Sequence, residues 1–409
     1  MYDATIIWDW LGFALRWVHV ITAMAWIGAS FYFIALDLGL RRAENMPRGA
    51  HGEEWQVHGG GFYHIRKYLI APEEMPAHLT WFKWESYSTW LSGAALLMVV
   101  YWAGAELYLI DAQKADLAIW QAIALSAASL GVGWLIYDRL CKSPLGGHPT
   151  VLMVLLFAML VAMGWAYDQV FTGRATLLHL GAFTATIMTA NVFFIIMPNQ
   201  RIVVGDLQAG RVPDARYGRI AKLRSTHNNY LTLPVIFLML SIHYPLAFAT
   251  PYNWVIASLV FVMGVTIRHY FNARHARSGN PHWTWAVTVL LFLAIMWLSI
   301  APMQDDDIEA AEARPLSAPE LAFAQAGGFD EVRDIVLGRC SMCHAREPNW
   351  PGIARAPNHV LLETSGDIAR HAVPIYLHAG VSHAMPPANV TWMEPEERRK
   401  IVAWYRGAL

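Results

Sequence analysis

Two cysteines and a histidine lie close together near the C-terminal end of the chain, in the run Cys340-Ser341-Met342-Cys343-His344. This C-x-x-C-H spacing is that of a c-type haem attachment site. The two thiols would form thioether bonds to the haem, and the histidine would be one axial ligand of its iron. A structural zinc site almost always has four ligands, whereas this chain has only three cysteines and no second cysteine pair. The motif therefore predicts one covalently bound haem c.

The second axial ligand of the iron is expected downstream of this motif. Met385 is the first candidate, because two prolines directly follow it and stiffen the chain at that point. Met393 is the alternative, and the competing interpretation of either methionine is core packing. Apolar periodicity predicts short helices at Phe329–Arg339 and at 396–405. Residues 328–409 thus resemble a small class I cytochrome c domain.

The remainder of the chain has the composition of a membrane protein. Hydrophobic residues make up 56% of the chain and charged residues only 15%. Eight segments are apolar enough, and long enough, to cross a hydrocarbon core about 30 Å thick. They are residues 10–36, 86–105, 117–137, 149–167, 175–197, 229–245, 254–271 and 282–300. We therefore predict an all-α protein with an eight-span transmembrane helical bundle at 1–303, an acidic linker at 304–327 and the cytochrome domain at 328–409.

Basic residues between the predicted spans indicate how the bundle is oriented. The odd-numbered loops carry sixteen lysines and arginines, whereas the even-numbered loops carry only Lys114 and Arg174. Basic loops stay on the cytoplasmic side of a membrane. The N-terminus and the predicted cytochrome domain are therefore expected on the outer side, which is also where the haem would be attached.

Ionisable side chains inside predicted spans are functional candidates, because they are costly to place in a membrane. His19 lies in the first span and His179 in the fifth, both in the outer half by this orientation. One interpretation is that these two histidines ligate a haem b between facing helices. The other is that they only form hydrogen bonds between helices.

The first predicted cytoplasmic loop is unusually rich in histidine, glycine and aromatic residues. It contains the run from Trp55 through Gly59-Gly60-Gly61 and His64 to Tyr68, and it leads to Glu85 at the start of the second span. The aromatic residues alone could form an interfacial belt. Together with glycine and basic residues, however, they suggest a pocket for a flat anionic molecule.

Several long runs of this sequence resemble the bacterial membrane-bound, cytochrome c-linked urate oxidases. They are His58-Gly59-Gly60-Gly61-Phe62-Tyr63-His64, Trp81-Phe82-Lys83-Trp84-Glu85, Thr189-Ala190-Asn191-Val192 with Met197-Pro198, and His227-Asn228-Asn229-Tyr230-Leu231-Thr232-Leu233-Pro234. The resemblance implies oxidation of urate to 5-hydroxyisourate in purine breakdown, in the inner membrane of a bacterium. It implies that electrons leave through the attached cytochrome, towards a soluble cytochrome or a terminal oxidase, and that no hydrogen peroxide forms. Membrane lipid, but no nucleic acid, is expected as a further partner.

Urate is a planar monoanion near neutral pH, and its oxidation needs a base that takes up a proton. By residue type and predicted side of the membrane, the candidate bases are His64, Glu85 and His227. The candidate substrate-binding residues are Lys67, Asn228 and Arg268, with Arg224 as a further cationic candidate. These residues predict a urate site at the inner ends of spans two, six and seven, with the first loop over it.

Two other functions compete with urate oxidation. A membrane anchor that relays electrons from quinol to haem c would need no urate pocket. A transporter with a fused cytochrome would move its substrate without any redox change at the haem. A site on the inner face would also lie about 30 Å across the membrane from an outer haem, and so would need an intermediate cofactor such as a haem b held by the outer histidines.

Overall fold

The computed structural model describes residues 4–70, 72–76, 78–112, 114–300, 315–351, 353, 356–357 and 360–409. The chain is mostly helical and divides into two compact units. The unit that we call the N-terminal unit contains Ile7–Ile242 and the helices that follow, up to residue 300. The other, the C-terminal unit, contains the last part of the chain, up to Leu409.

Within the described residues, eight helices of 13 residues or more account for most of the N-terminal unit, and each predicted span overlaps one of them. They are α1 (Ala4–Gly39), α2 (Trp84–Leu96), α3 (Ile119–Lys142), α4 (Pro149–Asp168), α5 (Gly173–Gln208), α6 (Ala215–Ser241), α7 (Asn253–Ala276) and α8 (Trp283–Ile300). A π-helical turn, Leu97–Trp102, extends α2, and a second one, Asn191–Ile196, lies within α5. Single helical turns lie at Ala105–Tyr108, Pro144–Gly147 and Pro245–Phe248.

Six of these helices are long and apolar enough to cross a membrane: α1, α3, α4, α5, α7 and α8. The other two do not meet both conditions within the described residues. The helix α2 is short without its π-helical extension, and the first half of α6 is strongly polar. The structure therefore has six candidate spans, and the count of eight stays a prediction.

Many outward-facing side chains of these helices are large and apolar. Trp17 is 64% exposed, Leu290 66% and Trp297 66%. A soluble monomer rarely exposes so much contiguous apolar surface, because water solvates it poorly. These faces fit a lipid environment, as expected for a membrane protein.

Close packing between the helices depends on glycine at two positions. A Cβ atom on Gly133 of α3 would overlap the ring of Phe183 on α5. A Cβ atom on Gly264 of α7 would lie 2.6 Å from the ring of Pro234 on α6. Only glycine lets the helix backbones come this close.

Residues of the first long loop form a β-hairpin, which corrects the all-α prediction. The strands β1 (Ala50–His58) and β2 (Gly61–Tyr68) pair in antiparallel fashion. Gly59 (φ +61°) and Gly60 (φ +78°) form the two-residue turn between them. Both backbones are left-handed, as a type I′ hairpin turn requires, and glycine adopts this conformation without a steric penalty. The glycine run therefore makes a hairpin turn.

Among its described residues, the C-terminal unit packs five α-helical segments around its own apolar core. They are α9 (Ala318–Gln325), α10 (Phe329–Arg339), α11 (Ser365–Arg370), α12 (Ala372–Val381) and α13 (Pro395–Gly407). Val336 of α10 and Ile401 and Trp404 of α13 are almost fully buried in this core. The two helices that the apolar pattern predicted, at Phe329–Arg339 and 396–405, are confirmed.

The predicted linker, 304–327, lies partly outside the described residues. Its second half contains α9, whose Phe323 stacks on Tyr405 with ring centroids 5.1 Å apart. The indole N–H of Trp404 donates a hydrogen bond of 3.0 Å to the backbone carbonyl of Phe323. The helical unit therefore begins upstream of residue 328.

Candidate functional site

The C-x-x-C-H motif lies where α10 ends. The N–H groups of Cys343 and His344 both donate to the carbonyl of Cys340, at 3.1 and 2.9 Å, so the motif forms one tight turn. Both cysteines are free thiols. Burial raises the pKa of the Cys340 thiol to about 12. A thiol that stays protonated is a poor nucleophile and a poor metal ligand, so burial disfavours a reactive thiolate at Cys340.

The ring of His344 is held in one orientation by a hydrogen bond to the backbone. Its Nδ1–H donates to the backbone carbonyl of Val360 at 2.9 Å. Haem and metal-ligating histidines are commonly fixed in this way, because the bond at one nitrogen sets the tautomer and directs the other nitrogen to the metal. The residues present therefore fit a haem c with His344 as one ligand through Nε2.

The two methionine candidates for the second axial position differ sharply in burial. Met393 is 2% exposed and belongs to the apolar core, whereas Met385 is 36% exposed. The backbone of Met385 is held at both ends, since its N–H donates to His378 and its carbonyl accepts from Arg398, both at 2.9 Å. A thioether on a fixed backbone and outside the core is available to a ligand, which favours Met385.

His179 is fully buried and both of its ring nitrogens have protein partners. Its Nδ1–H donates to the carbonyl of Ala175, and its Nε2 accepts from the hydroxyl of Ser126, each at 2.8 Å. Three aromatic rings lie within 6 Å of the imidazole: those of Tyr101, Tyr167 and Phe171. This packing does not fit a haem b at His179.

His19 lies in a different environment, at the contact between α1 and α2. Its Nδ1 is 3.0 Å from the carbonyl of Thr89 and 3.1 Å from the hydroxyl of Ser92. A Cβ atom on Gly93 would come within 2.9 Å of the imidazole, so this glycine makes room for the ring. These bonds of His19 join two helices, and a haem b ligand role for this residue stays a prediction.

The hairpin holds His64 and Lys67 against carboxylate groups. His64 Nε2 is 2.8 Å from Glu53 Oε2, and its ring stacks on Trp55 with centroids 4.0 Å apart. Arg66 donates to the same carboxylate at 3.0 Å. Hydrogen bonds from His64 and then Arg66 hold the pKa of Glu53 below its usual value. Lys67 pairs with Asp37 at 2.6 Å, so both predicted site residues already have carboxylate partners.

His227 and Asn228 belong to a network of buried polar side chains that we call the buried network. Its members are Tyr137 and Asp138 of α3, Asn191 of α5, and Arg224, His227 and Asn228 of α6. Arg224 donates to Asp138 at 2.7 Å and to Asn191 at 3.2 Å. Asn191 donates in turn to Tyr137 at 3.2 Å and to Asn228 at 3.0 Å. These bonds tie three helices together within the apolar interior.

His227 is the member of this network with spare bonding capacity. Its Nδ1 is 2.7 Å from the hydroxyl of Tyr137. Its Nε2 is buried and, within the described residues, has no hydrogen-bond partner. The sequence did not single out Asp138 or Tyr137. The sequence signal that could have predicted this ion pair is the position of the two charges. Asp138 directly follows the predicted span 117–137, and Arg224 lies just before the predicted span 229–245.

Arg268 and Glu85 belong neither to the hairpin nor to the buried network. Arg268 donates to Asn229 at 3.4 Å and to Asn272 at 3.1 Å, and its guanidinium lies 4.2 Å from the ring centroid of Phe31. Glu85 lies in the first turn of α2, where its backbone carbonyl accepts a bond from Thr89. The predicted site residues are therefore distributed among the hairpin, the buried network, the α6–α7 contact and α2.

A cavity of about 370 Å³ lies where the hairpin meets the C-terminal ends of α1 and α7. We call it the hairpin pocket. Its polar lining comes from Tyr32, Glu54, Gln56, Arg274, His275 and Arg277. The site predicted from the sequence lies at the inner ends of spans two, six and seven with the first loop over it. The pocket shares the first loop and the end of span seven with that prediction, but none of the predicted site residues lines it. Of these lining residues only Gln56 lies in the run that suggested a pocket, because the lining comes from three distant segments.

Comparison with known proteins gives one match. Residues 5–299 match the model of the family described as Urate oxidase N-terminal. None of the curated proteins and none of the solved structures matches the chain. The matched residues include the buried network and the hairpin pocket but not the C-x-x-C-H motif.

Proposed function

This chain belongs to the urate oxidase N-terminal family, and from that premise we propose that it oxidises urate to 5-hydroxyisourate and passes the electrons to a haem c on its own C-terminal unit. The family match carries the first part, because it spans almost the whole N-terminal unit. The C-x-x-C-H turn and the fixed ring of His344 support the second part. The apolar helices support action within a membrane.

The proposed reaction balances without oxygen as the oxidant. The urate monoanion and one water molecule give 5-hydroxyisourate, one proton and two electrons. When bound, the haem would accept electrons one at a time, so each turnover needs two transfers. The protein must therefore bind a planar anion, admit water and accept a proton.

The proposed residues in the C-terminal unit have distinct roles. Cys340 and Cys343 would hold the haem covalently, and His344 and Met385 would be its axial ligands. A methionine opposite a histidine raises the reduction potential, which favours acceptance of electrons. We propose no ligand role for His179, because both of its ring nitrogens are engaged.

We further propose that the protein lies in the cytoplasmic membrane of a bacterium, with the N-terminus and the C-terminal unit outside. The sixteen-to-two excess of basic residues in the odd-numbered loops supports this orientation. From there the haem would pass electrons to a soluble cytochrome or a terminal oxidase.

Anaerobic reduction of the haem by urate tests this function. Purified protein mixed with urate should develop the absorbance bands of a reduced c-type cytochrome and release 5-hydroxyisourate without hydrogen peroxide. The Cys343→Ala variant, which loses one thioether bond, should show much weaker reduction. Rapid reduction by a quinol but none by urate would replace this proposal with the electron-relay function.

A further inference from the structure

Hydrogen bonds within the lining of the hairpin pocket fix the orientation of one of its polar side chains, the carboxamide of Gln56. Tyr32 donates to Gln56 Oε1 at 2.8 Å, and Gln56 Nε2 donates to Glu54 Oε1 at 3.3 Å. These two bonds fix which way the carboxamide of Gln56 faces. One N–H and one lone pair of that amide remain available. A fixed primary amide is complementary to the adjacent N–H and C=O groups of a lactam edge.

The pocket also presents cationic groups without matching anions. Arg274 and Arg277 are exposed and, among the described residues, neither forms an ion pair with a carboxylate. Glu54 contributes the one carboxylate of the lining, so two guanidinium groups face a single negative charge. An arginine fork binds planar oxygen-bearing anions through paired hydrogen bonds.

The backbone at Arg277 adds an independent observation. The end of α7 forms a Schellman motif, in which Ser278 N–H donates to Ala273 and Arg277 N–H to Arg274, each at 3.0 Å. Arg277 occupies the left-handed position of this motif, with φ +54° and ψ +29°. Glycine is the usual residue there, because a side chain is disfavoured in that conformation. An arginine at this position places a cation on the pocket wall at a conformational cost.

We propose that the hairpin pocket is the urate-binding site of this protein, which rests on the proposed function. In the proposed orientation this pocket lies on the inner side of the membrane, so the proposal also requires an intermediate cofactor, such as a haem b, that carries electrons to the outer haem. Gln56 would bind a lactam edge of urate, and Arg274 and Arg277 would bind its carbonyl oxygens and offset its negative charge. The cavity, at about 370 Å³, lies at the small end of the range for ligand pockets, about 300–1,000 Å³. A small planar anion suits that size.

The test measures urate-dependent haem reduction in the full-length holoprotein, in nanodiscs of zwitterionic lipid so that no anionic headgroup competes for the pocket. Gln56→Leu and Arg274→Gln should each raise KM by about tenfold to a hundredfold, since each loses hydrogen bonds to a charged ligand. Arg274→Lys should lie between Arg274→Gln and the unaltered protein, because lysine keeps the charge but not the fork.

Arg277→Gly separates binding from folding. Glycine suits the left-handed position, so this variant should keep or raise the thermal midpoint while KM rises about tenfold. Arg216→Gln is the matched control, because Arg216 is an exposed arginine of α6 that pairs with Asp214. It should leave KM unchanged.

The outcomes distinguish the pocket from the function. If urate reduces the haem and all the pocket variants keep the KM of the unaltered protein, the pocket assignment is wrong and the function stands. If urate does not reduce the haem, equilibrium dialysis with labelled urate decides. Binding that the pocket variants lose supports the pocket without the redox function, and a lack of binding by the unaltered protein overturns both.

Discussion

The buried network and the hairpin pocket both place arginine side chains in the N-terminal unit, but they give those cations different surroundings. Arg224 is 2% exposed, donates to Asp138 and Asn191, and lies over the ring of Tyr137. Arg274 and Arg277 are exposed at a cavity and, within the described residues, have no carboxylate partner. A cation whose bonds are saturated by the protein supports the fold, and a cation left unpaired at a cavity is available to a ligand.

The contrast bears on two residues whose action on urate stays a prediction. His227 and Asn228 were predicted to act on urate, yet both are buried members of the network. Asn228 donates to the carbonyl of Met188 at 2.9 Å as well as accepting from Asn191, so it joins α5 to α6. Residue type alone does not distinguish these two situations, because the difference lies in the partners.

The largest effect should follow from breaking the buried ion pair. Asp138→Leu leaves Arg224 buried without its carboxylate, which should cost about 3–5 kcal/mol in the free energy of unfolding. Thermal unfolding in detergent measures the loss. Asp206→Asn is the matched control, because Asp206 pairs with the exposed Arg211 and its loss should cost at most about 1 kcal/mol.

The double variant Asp138→Leu/Arg224→Met sharpens this result. Replacing both charges by apolar side chains removes the unpaired cation, so the double variant should recover most of the stability lost in Asp138→Leu. If the double variant were as unstable as Asp138→Leu alone, the unpaired charge of Arg224 would not be the cause of the loss.

A similar contrast separates the two methionines of the C-terminal unit. Met393 is buried in the apolar core, whereas Met385 is exposed and available to a ligand. Met393→Ala should cost about 2–5 kcal/mol, because it opens a cavity in the core. Met385→Ala opens no cavity in the core, so it should cost less stability than Met393→Ala but lower the reduction potential of the haem. Thermal unfolding and a redox titration measure the two effects. A lowered potential in Met393→Ala alone would assign the axial position to that residue.

Removal of single hydroxyl groups should give a smaller but still unequal pair of effects. Tyr137→Phe removes the partner of His227 and of Asn191 in a buried place, which should cost about 1–3 kcal/mol. Tyr32→Phe removes one hydrogen bond at an exposed site and should cost about 0.5 kcal/mol or less. If thermal unfolding showed equal losses of stability in the two variants, the hydroxyl groups of the buried network and of the hairpin pocket would not differ in their contribution to the fold.

The smallest effect concerns the pH dependence of the hairpin. The pKa of Glu53 is held below its usual value of 4.5, mainly by the hydrogen bond from His64. The unfolded hairpin therefore binds a proton at higher pH than the folded one. The stabilisation is complete above that usual value and is lost as the pH falls through the lower pKa of the folded state. Hydrogen exchange at Trp55 should accelerate in that range, and Glu53→Gln should remove the dependence.

The hairpin shows what the sequence could have revealed but did not. A Gly-Gly pair between two runs containing Val57 and Phe62 is a recognised signal of a two-residue hairpin turn. The clustering of histidine and aromatic residues was interpreted as a lid instead. The first loop nevertheless lines the pocket, because the strand β1 brings Glu54 and Gln56 to the ends of α1 and α7.

The sequence by itself determined the features that depend on near neighbours in the chain. The six helices long enough to cross a membrane follow from long apolar runs, and the short helix Phe329–Arg339 before the C-x-x-C-H motif follows from apolar periodicity. Tertiary structure alone decided which polar residues meet. Tyr32, Gln56 and Arg274 are far apart in the chain, and only the packing of α1, α7 and the hairpin makes them neighbours. Likewise, only packing decided that Arg224 would have a buried carboxylate partner and that Arg274 would not, because the partner of a charge is set by contacts between helices.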